Sequence, residues 1–445
     1  MLAGRDMLSY FLRGVSGSFA VKVLGAGLTF LLSVFLARAL GPAGYGQYAF
    51  LFSLAMSLGL IASLGSNTLN VRMVASYVTT GQWGAIRSLL AEGRIAILLA
   101  SALLCGVLVA SLHLLGSLDA WGGPLVFIAV AMVPLLAISH QRVGALRGLR
   151  RVVKSHVPEM LVVPGFALSV GFLLHMVIGA ERFTSATALS VQLAAVFTAF
   201  VIGTVFLLRS MPEQVGRSPR QPHRLEWFHA AVPLLVVTIM QLVKQRGDVI
   251  LLGALTTPEI VGKFFVAAQL VVLIAFFNMA VTMTLQPVIA SLWVEGRTAK
   301  LQRVLHLCTL AGLAVALPIG LIFIFAAEQV IGLAYGSAYS DAAICLVILS
   351  VGRLIFAATG PMLQALTMTG HESDAAWMVA ISAVVSIALY LLLIPRYGME
   401  GAALAHSISL VLWNFLLGWR LYVRTGLIAL AFVPFVVLFR SRGKK

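Results

Sequence analysis

The chain has 445 residues, 60% of them hydrophobic and 10% charged, with a formal net charge of +16 and a mean hydropathy of +1.02. So few charged groups cannot cover a soluble surface of this size. The Lys and Arg residues are spread over many short segments rather than gathered in one patch, which speaks against nucleic acid and for contact with anionic membrane lipid.

Apolar runs follow one another at 14–40, 48–70, 95–115, 124–143, 157–178, 186–208, 230–255, 264–285, 305–326, 342–366, 375–394 and 402–423. Each is close to the roughly 20 residues that span a bilayer, so the chain is predicted to be an all-α integral membrane protein of twelve transmembrane helices. The first run is too long for a cleavable signal and lacks a small-residue cleavage site, so it is expected to remain as a helix. Arg72, Arg87 and Arg94, the group Arg142, Arg147, Arg150, Arg151 and Lys154, and the group Arg209, Arg217, Arg220 and Arg224 all fall on the side of the amino terminus. Arg182, Lys263 and Arg396 fall on the other. The positive-inside rule then puts both termini in the cytoplasm.

The longest polar connection contains Pro212, Pro219 and Pro222 and divides two blocks of six helices. The predicted domains are an amino-terminal lobe, 1–209, a cytoplasmic linker, 210–228, and a carboxyl-terminal lobe, 229–425. An even number of spans per block makes the lobes a parallel, pseudo-symmetric repeat around a central cavity. Residues 39–48 and 254–264, after the first and seventh helices, share a similar short Gly- and Pro-containing turn. Beyond them, 427–439 is too short to span, holds Pro434, and precedes a basic end, so it is read as an interfacial or re-entrant tail.

Charge is rare within the runs. Lys22, Lys244, Arg246, Asp248 and Arg353 are the residues set deep in them, and a charge in hydrocarbon costs roughly 2.5–3.5 kcal/mol even on a lenient scale. Cations outnumber anions, which points to an anionic cargo. At about 1.5 Å per residue, Lys22 lies about 12 Å into the first helix and Arg353 about 16 Å into the tenth, near the midplane. The first two helices hold no acidic partner for Lys22, which favours a cargo-binding role. Arg353 is equally open to bonding backbone carbonyls at a break near Gly352 or Gly360. Lys244 and Asp248, four apart on one face, can neutralise each other, whereas Arg246 points away from them. Asp248 is thus a partner in an internal salt bridge or an ion-coupling site. Asn67, Gln241, Gln269 and Asn278 can hydrogen-bond sugar hydroxyls or simply neighbouring helices. Gly25, Gly27, Gly41, Gly44 and Gly46 suit close helix packing and a mobile hairpin. The three cysteines, Cys105, Cys308 and Cys345, fall in spans as buried thiols. No metal-ligand spacing and no phosphate-binding loop occur, so neither a metal, nor a cofactor, nor ATP chemistry is expected.

Several segments carry a family likeness. Leu36-Ala37-Arg38-Ala39-Leu40-Gly41-Pro42 followed by Tyr45-Gly46-Gln47-Tyr48 resembles the first hairpin of the polysaccharide biosynthesis, or oligosaccharide flippase (Wzx-type), family. Asp248-Val249-Ile250-Leu251-Leu252-Gly253 resembles its seventh helix. Leu366-Thr367-Met368-Thr369-Gly370-His371 and Ile394-Pro395-Arg396-Tyr397-Gly398-Met399-Glu400-Gly401-Ala402-Ala403 resemble its tenth to twelfth. The likeness covers residues 10–425. It implies the multidrug/oligosaccharidyl-lipid/polysaccharide exporter fold and a non-enzymatic transporter of a polyprenyl-diphosphate-linked oligosaccharide, moved from the inner to the outer leaflet of the bacterial inner membrane. It further implies use of the product for lipopolysaccharide O-antigen, exopolysaccharide or a related polymer, with a polysaccharide polymerase complex as a partner. Two rivals stand beside it. An ion-coupled multidrug exporter would want several intramembrane carboxylates, and a membrane-embedded glycan polymerase or glycosyltransferase would want catalytic groups on large outer loops.

Overall fold

The computed structural model describes residues 2–114, 121–221 and 224–431, with side chains described from residue 17 onward except at 224–225, 275–284 and 287. The chain divides into two compact units, Met1–Leu242 and Val243–Lys445.

The first unit contains α1 (Leu2–Ala62), α2 (Ser66–Thr80), α3 (Trp83–Leu114), α4 (Gly123–Gly148), α5 (Val152–Val157), a π-helical turn (Pro158–Val162), α6 (Val163–Ile178), α7 (Ser185–Ser210) and α8 (Glu213–Arg217). It also takes in the start of α9 (Arg224–Leu255). The hairpin in α1 is set by two adjacent residues. Gly41 has φ 66° and ψ 176°, open to a residue without Cβ, and Pro42 starts the next arm where a missing N–H costs nothing. Tyr45 and Tyr48 lock the hairpin by reaching buried partners. The Tyr45 hydroxyl lies 2.7 Å from that of Ser33 on the first arm, and Tyr48 donates to Gln192 on α7 at 3.0 Å. Gln47 accepts from Ser185 at 2.9 Å. The hairpin motif is thus anchored at three points in this structure.

In this unit α4 is the hub, packed on α1, α2, α3 and α7. Its Gly144 and Gly148, four apart, admit the backbone of α2, since a Cβ on Gly144 would sit 2.3 Å from the Asn67 carbonyl oxygen. The polar stretch after α7 packs on α3, where Arg87 donates to the carbonyls of Gly216 and Ser218, both at 3.1 Å. The boundary between the units lies beyond the Pro-containing connection, within α9.

The second unit contains the rest of α9, then α10 (Pro258–Val294), α11 (Thr298–Phe325), α12 (Ala327–Tyr335), α13 (Ala343–Ala358), α14 (Met362–Met368) and α15 (Glu372–Thr425). Gly398, at φ 56° and ψ −126°, bends α15 into two arms. The tenth helix breaks at Gly360, with φ +68°, whereas Gly352 is helical and packs on Ser407. Beyond Gly426 the described residues are not helical. The Gln302 side chain bonds both backbone groups of Ile428, His306 donates to the Leu430 carbonyl at 3.1 Å, and Ala431 N donates to Ala358 O at 2.9 Å. The start of the tail therefore packs on α11 and the end of α13, while 432–439, including Pro434, lies outside the described residues.

Among the described residues nine helical stretches are long and apolar enough to cross a bilayer. Two of them, Gly17–Ala62 and Glu372–Thr425, are each folded at a glycine, so together with α10 the layout is consistent with twelve crossings. Their outward faces carry side chains such as Leu103 at 68% and Val177 at 72% exposure, which only lipid can cover.

Candidate functional site

Each unit gathers cations of its own. In the first, Lys22 on α1 lies within electrostatic range of Arg147 on α4, and His156 on α5 within range of both. Directly behind them stands the π-helical turn. Gly25, three residues from Lys22, abuts the Met160 backbone so closely that a Cβ would sit 2.5 Å from its carbonyl oxygen. Single π-turns recur at functional sites because the extra residue redirects the side chains around it.

Lys22 precedes the Gly41 turn by nineteen residues, about 28 Å of helix. It is level with the basic end of α4, within electrostatic range of Arg147.

Arg142 gives the contrast. It is only 4% exposed, bonds the Phe200 carbonyl at 2.8 Å and the Ser139 hydroxyl at 3.0 Å, and lies 3.9 Å from Glu159. Its guanidinium occupies the space that Gly203 leaves without a Cβ. Arg142 is thus a packing residue of this unit, whereas the sequence marked it only as one of the basic residues on the side of the amino terminus.

In the second unit the structure brings together Arg246, Asp248 and Arg353. Asp248 is 5% exposed, and both arginines lie within its electrostatic range. Its Oδ2 is 3.0 Å from His406 Nδ1, its Oδ1 accepts from Val249 N at 2.7 Å, and the Tyr390 hydroxyl stands 3.5 Å from the same histidine nitrogen. Arg353 Nε is buried without a partner. The expected Lys244–Asp248 bridge does not form. Lys244 turns instead to the Ser382 hydroxyl at 2.6 Å and lies over the Trp413 ring, 3.7 Å from its centroid. Arg246, expected to point away from Asp248, shares its field, because long side chains reach round a helix and Asp248 is the nearest anion.

Of the candidate sugar contacts, Asn67 keeps a buried Oδ1 without a partner, Gln241 is exposed and Gln269 half-buried. The Asn278 side chain lies outside the described residues. His406, Tyr390, Arg147 and His156 were not picked out by sequence reasoning. The signal for His406 was present, a titratable residue in the apolar stretch just after the motif ending at Ala403.

Residues 11–293 match the model of the family described as "Polysaccharide biosynthesis protein". The chain belongs to that family. This member is 23% identical over 403 residues, 88% of its length and 79% of the relative's, to the probable low-salt glycan biosynthesis flippase Agl15 of Haloferax volcanii. Its fold is similar to an inward-facing multidrug resistance MATE family transporter of the MOP superfamily, with TM-score 0.75, 13% identity and coverage of 90% of this chain and 94% of that one. It is also similar to the lipid II flippase MurJ in an inward closed conformation, with TM-score 0.73, 14% identity and coverage of 94% and 88%. The protein is a multi-pass membrane member of the polysaccharide biosynthesis protein family with a fold similar to those two transporters.

Proposed function

We propose that this protein is a flippase moving a lipid-diphosphate-linked oligosaccharide repeat unit from the inner to the outer leaflet of the bacterial cytoplasmic membrane, for a cell-surface polysaccharide. The observation that carries the reading is the gathering of cations, among the described residues, within each unit of a polysaccharide biosynthesis family member. Lys22 and Arg147, with His156 beside them, stand in the first unit. Arg246 and Arg353 outnumber Asp248 in the second. An anion such as a diphosphate is the chemical complement of such sites. A cationic drug is not, because Asp248 is already engaged by His406 and two arginines. The printed names of a glycan biosynthesis flippase and a lipid II flippase among the similar proteins support the same cargo class.

With the basic segments inside, both termini are cytoplasmic and the Lys22 cluster lies on the loading side. The units expose their cations alternately to the two leaflets. A diphosphate carrying about two negative charges gains roughly 4.6 kcal/mol per 100 mV on leaving a negative interior, so coupling to an ion is not required.

The test is reconstitution into vesicles holding a fluorescent polyprenyl-diphosphate sugar, with outer-leaflet label read by a membrane-impermeant quencher. Faster equilibration than in protein-free vesicles supports the reading. Equal rates with cargo and with a phosphate-free analogue would remove the role of the cations. In cells lacking the protein, the sugar lipid accumulating on the inner leaflet identifies the cargo.

A further inference from the structure

The first unit holds a groove of about 400 Å³, within the roughly 300–1,000 Å³ of small-molecule sites. Its walls are α2, α3, the first turns of α9 and the turn at 63–65, joined by Gln141 of α4. Leu99 and Phe228, 67% and 65% exposed, stand at its open side, where bilayer lipid reaches it. The lining is graded along the membrane normal. Asn70, Glu92, Gln141 and Trp227 all lie within three residues of an end of the apolar runs 48–70, 95–115, 124–143 and 230–255, which is the level of lipid headgroups. Leu99 lies seven residues beyond Glu92, about 10 Å deeper, and Leu64, Ile95 and Ala231 share that deeper side.

The deep end asks for no hydrogen bond. The helix breaks there, with Leu64 and Gly65 at φ 53° and 70°, yet the N–H groups of Ser63, Leu64 and Ser66 are bonded to the carbonyls of Gly59, Ile61 and Ser63, and the Ser63 hydroxyl to that of Leu60. Hydrocarbon can therefore lie against it. At the headgroup level the wall is fixed from within. Trp227 donates to the Tyr77 hydroxyl at 2.9 Å, Asn70 to the Gln141 carbonyl at 3.0 Å and Gln141 to the Leu90 carbonyl at 3.1 Å. Glu92 is the one charged side chain among the lining residues described. A diphosphate would meet a carboxylate there, whereas an ammonium complements it.

We propose that this groove holds a zwitterionic phospholipid of the bilayer, with one acyl chain along Leu64, Ile95 and Leu99 and the headgroup amine at Glu92. The doubly charged head of the cargo lipid excludes it from the groove, so the site does not depend on the flippase reading above.

The test is photolabelling of the full chain in detergent with a phosphatidylethanolamine carrying a diazirine in one acyl chain, the labelled residues being mapped by mass spectrometry. Label concentrates on α3 between residues 92 and 99 and on α9 between 227 and 231. Unlabelled phosphatidylethanolamine at about twice its dissociation constant cuts that labelling about threefold by simple occupancy. At the same concentration phosphatidylglycerol competes less well and polyprenyl diphosphate leaves the labelling unchanged. Ala96→Trp and Ala231→Trp, which fill the groove, each remove the label there and leave that at the lipid-facing Leu103 as it was. Glu92→Gln keeps the label and makes the two phospholipids equal competitors. The competition arms use the unaltered chain and stand whether or not the variants fold. Label no denser in the groove than at Leu103, competition by polyprenyl diphosphate or phosphatidylglycerol equal to that by phosphatidylethanolamine, or labelling that survives both tryptophan changes would overturn the proposal.

Discussion

Replacing Lys22 with Ala removes an ammonium from a group that also holds Arg147 and His156. A charge-assisted hydrogen bond contributes about 1.5–3 kcal/mol, so flipping falls on the order of tenfold to a hundredfold while membrane insertion is unchanged. Lys22→Arg retains part of the activity. Full transport by Lys22→Ala in reconstituted vesicles would remove Lys22 from cargo binding. Asp248 behaves differently. Asp248→Asn leaves Arg246 and Arg353 without their common anion and destabilises the second unit by about 3–5 kcal/mol, read as a lowered thermal midpoint in detergent. Adding Arg353→Gln recovers part of that loss, whereas adding Lys244→Ala does not, because Lys244 is bound to Ser382 and Trp413. Equal recovery by the two second changes would contradict the pairing described above.

The elements that position these residues depend on glycines whose role is steric. Gly25 lets α1 approach the π-helical turn, and Gly25→Val drives side-chain atoms into the Met160 backbone. Overpacking of this kind costs about 1–3 kcal/mol and moves the Lys22 arm away from His156, so both stability and flipping decline. Gly27→Ala, two residues on, meets nothing within 4 Å and is silent in both assays. The hairpin glycine is conformational instead. Gly41→Ala forces a Cβ into a backbone region essentially reserved for glycine and costs about 1–3 kcal/mol, with the Tyr45, Gln47 and Tyr48 bonds still holding the turn. In the second unit the strap from Leu427 to Ala431 is tied to α11 and to the end of α13, so its pinning supports the break at Gly360, which Ala429 abuts.

For the whole molecule the testable property is orientation. Ser218 lies in the connection packed on α3, and Glu259 lies in the first turn of α10 beside Lys263, which it meets at 2.8 Å. In a chain without its own cysteines, Ser218→Cys reacts with an impermeant thiol reagent only in inside-out vesicles, and Glu259→Cys only in intact cells. The reverse pattern would invert the direction of transport proposed here.

The sequence by itself determined what depends on composition and local chain geometry. Apolar runs the length of a bilayer dictated membrane helices, and Gly41-Pro42 and Gly398 dictated bends, because backbone groups in lipid must bond within helices and only glycine turns freely at positive φ. The scarcity of charge singled out Lys22, Arg246, Asp248 and Arg353, since any charge in hydrocarbon is costly enough to need a reason. The tertiary structure alone decided their partners. Asp248 meets His406 and Tyr390 from a helix more than a hundred residues away, Lys244 turns to Trp413, and Lys22 comes level with Arg147 because α1 packs on α4. Helical periodicity fixes which residues share a face of one helix; which neighbouring helix that face meets depends on packing between segments distant in the chain.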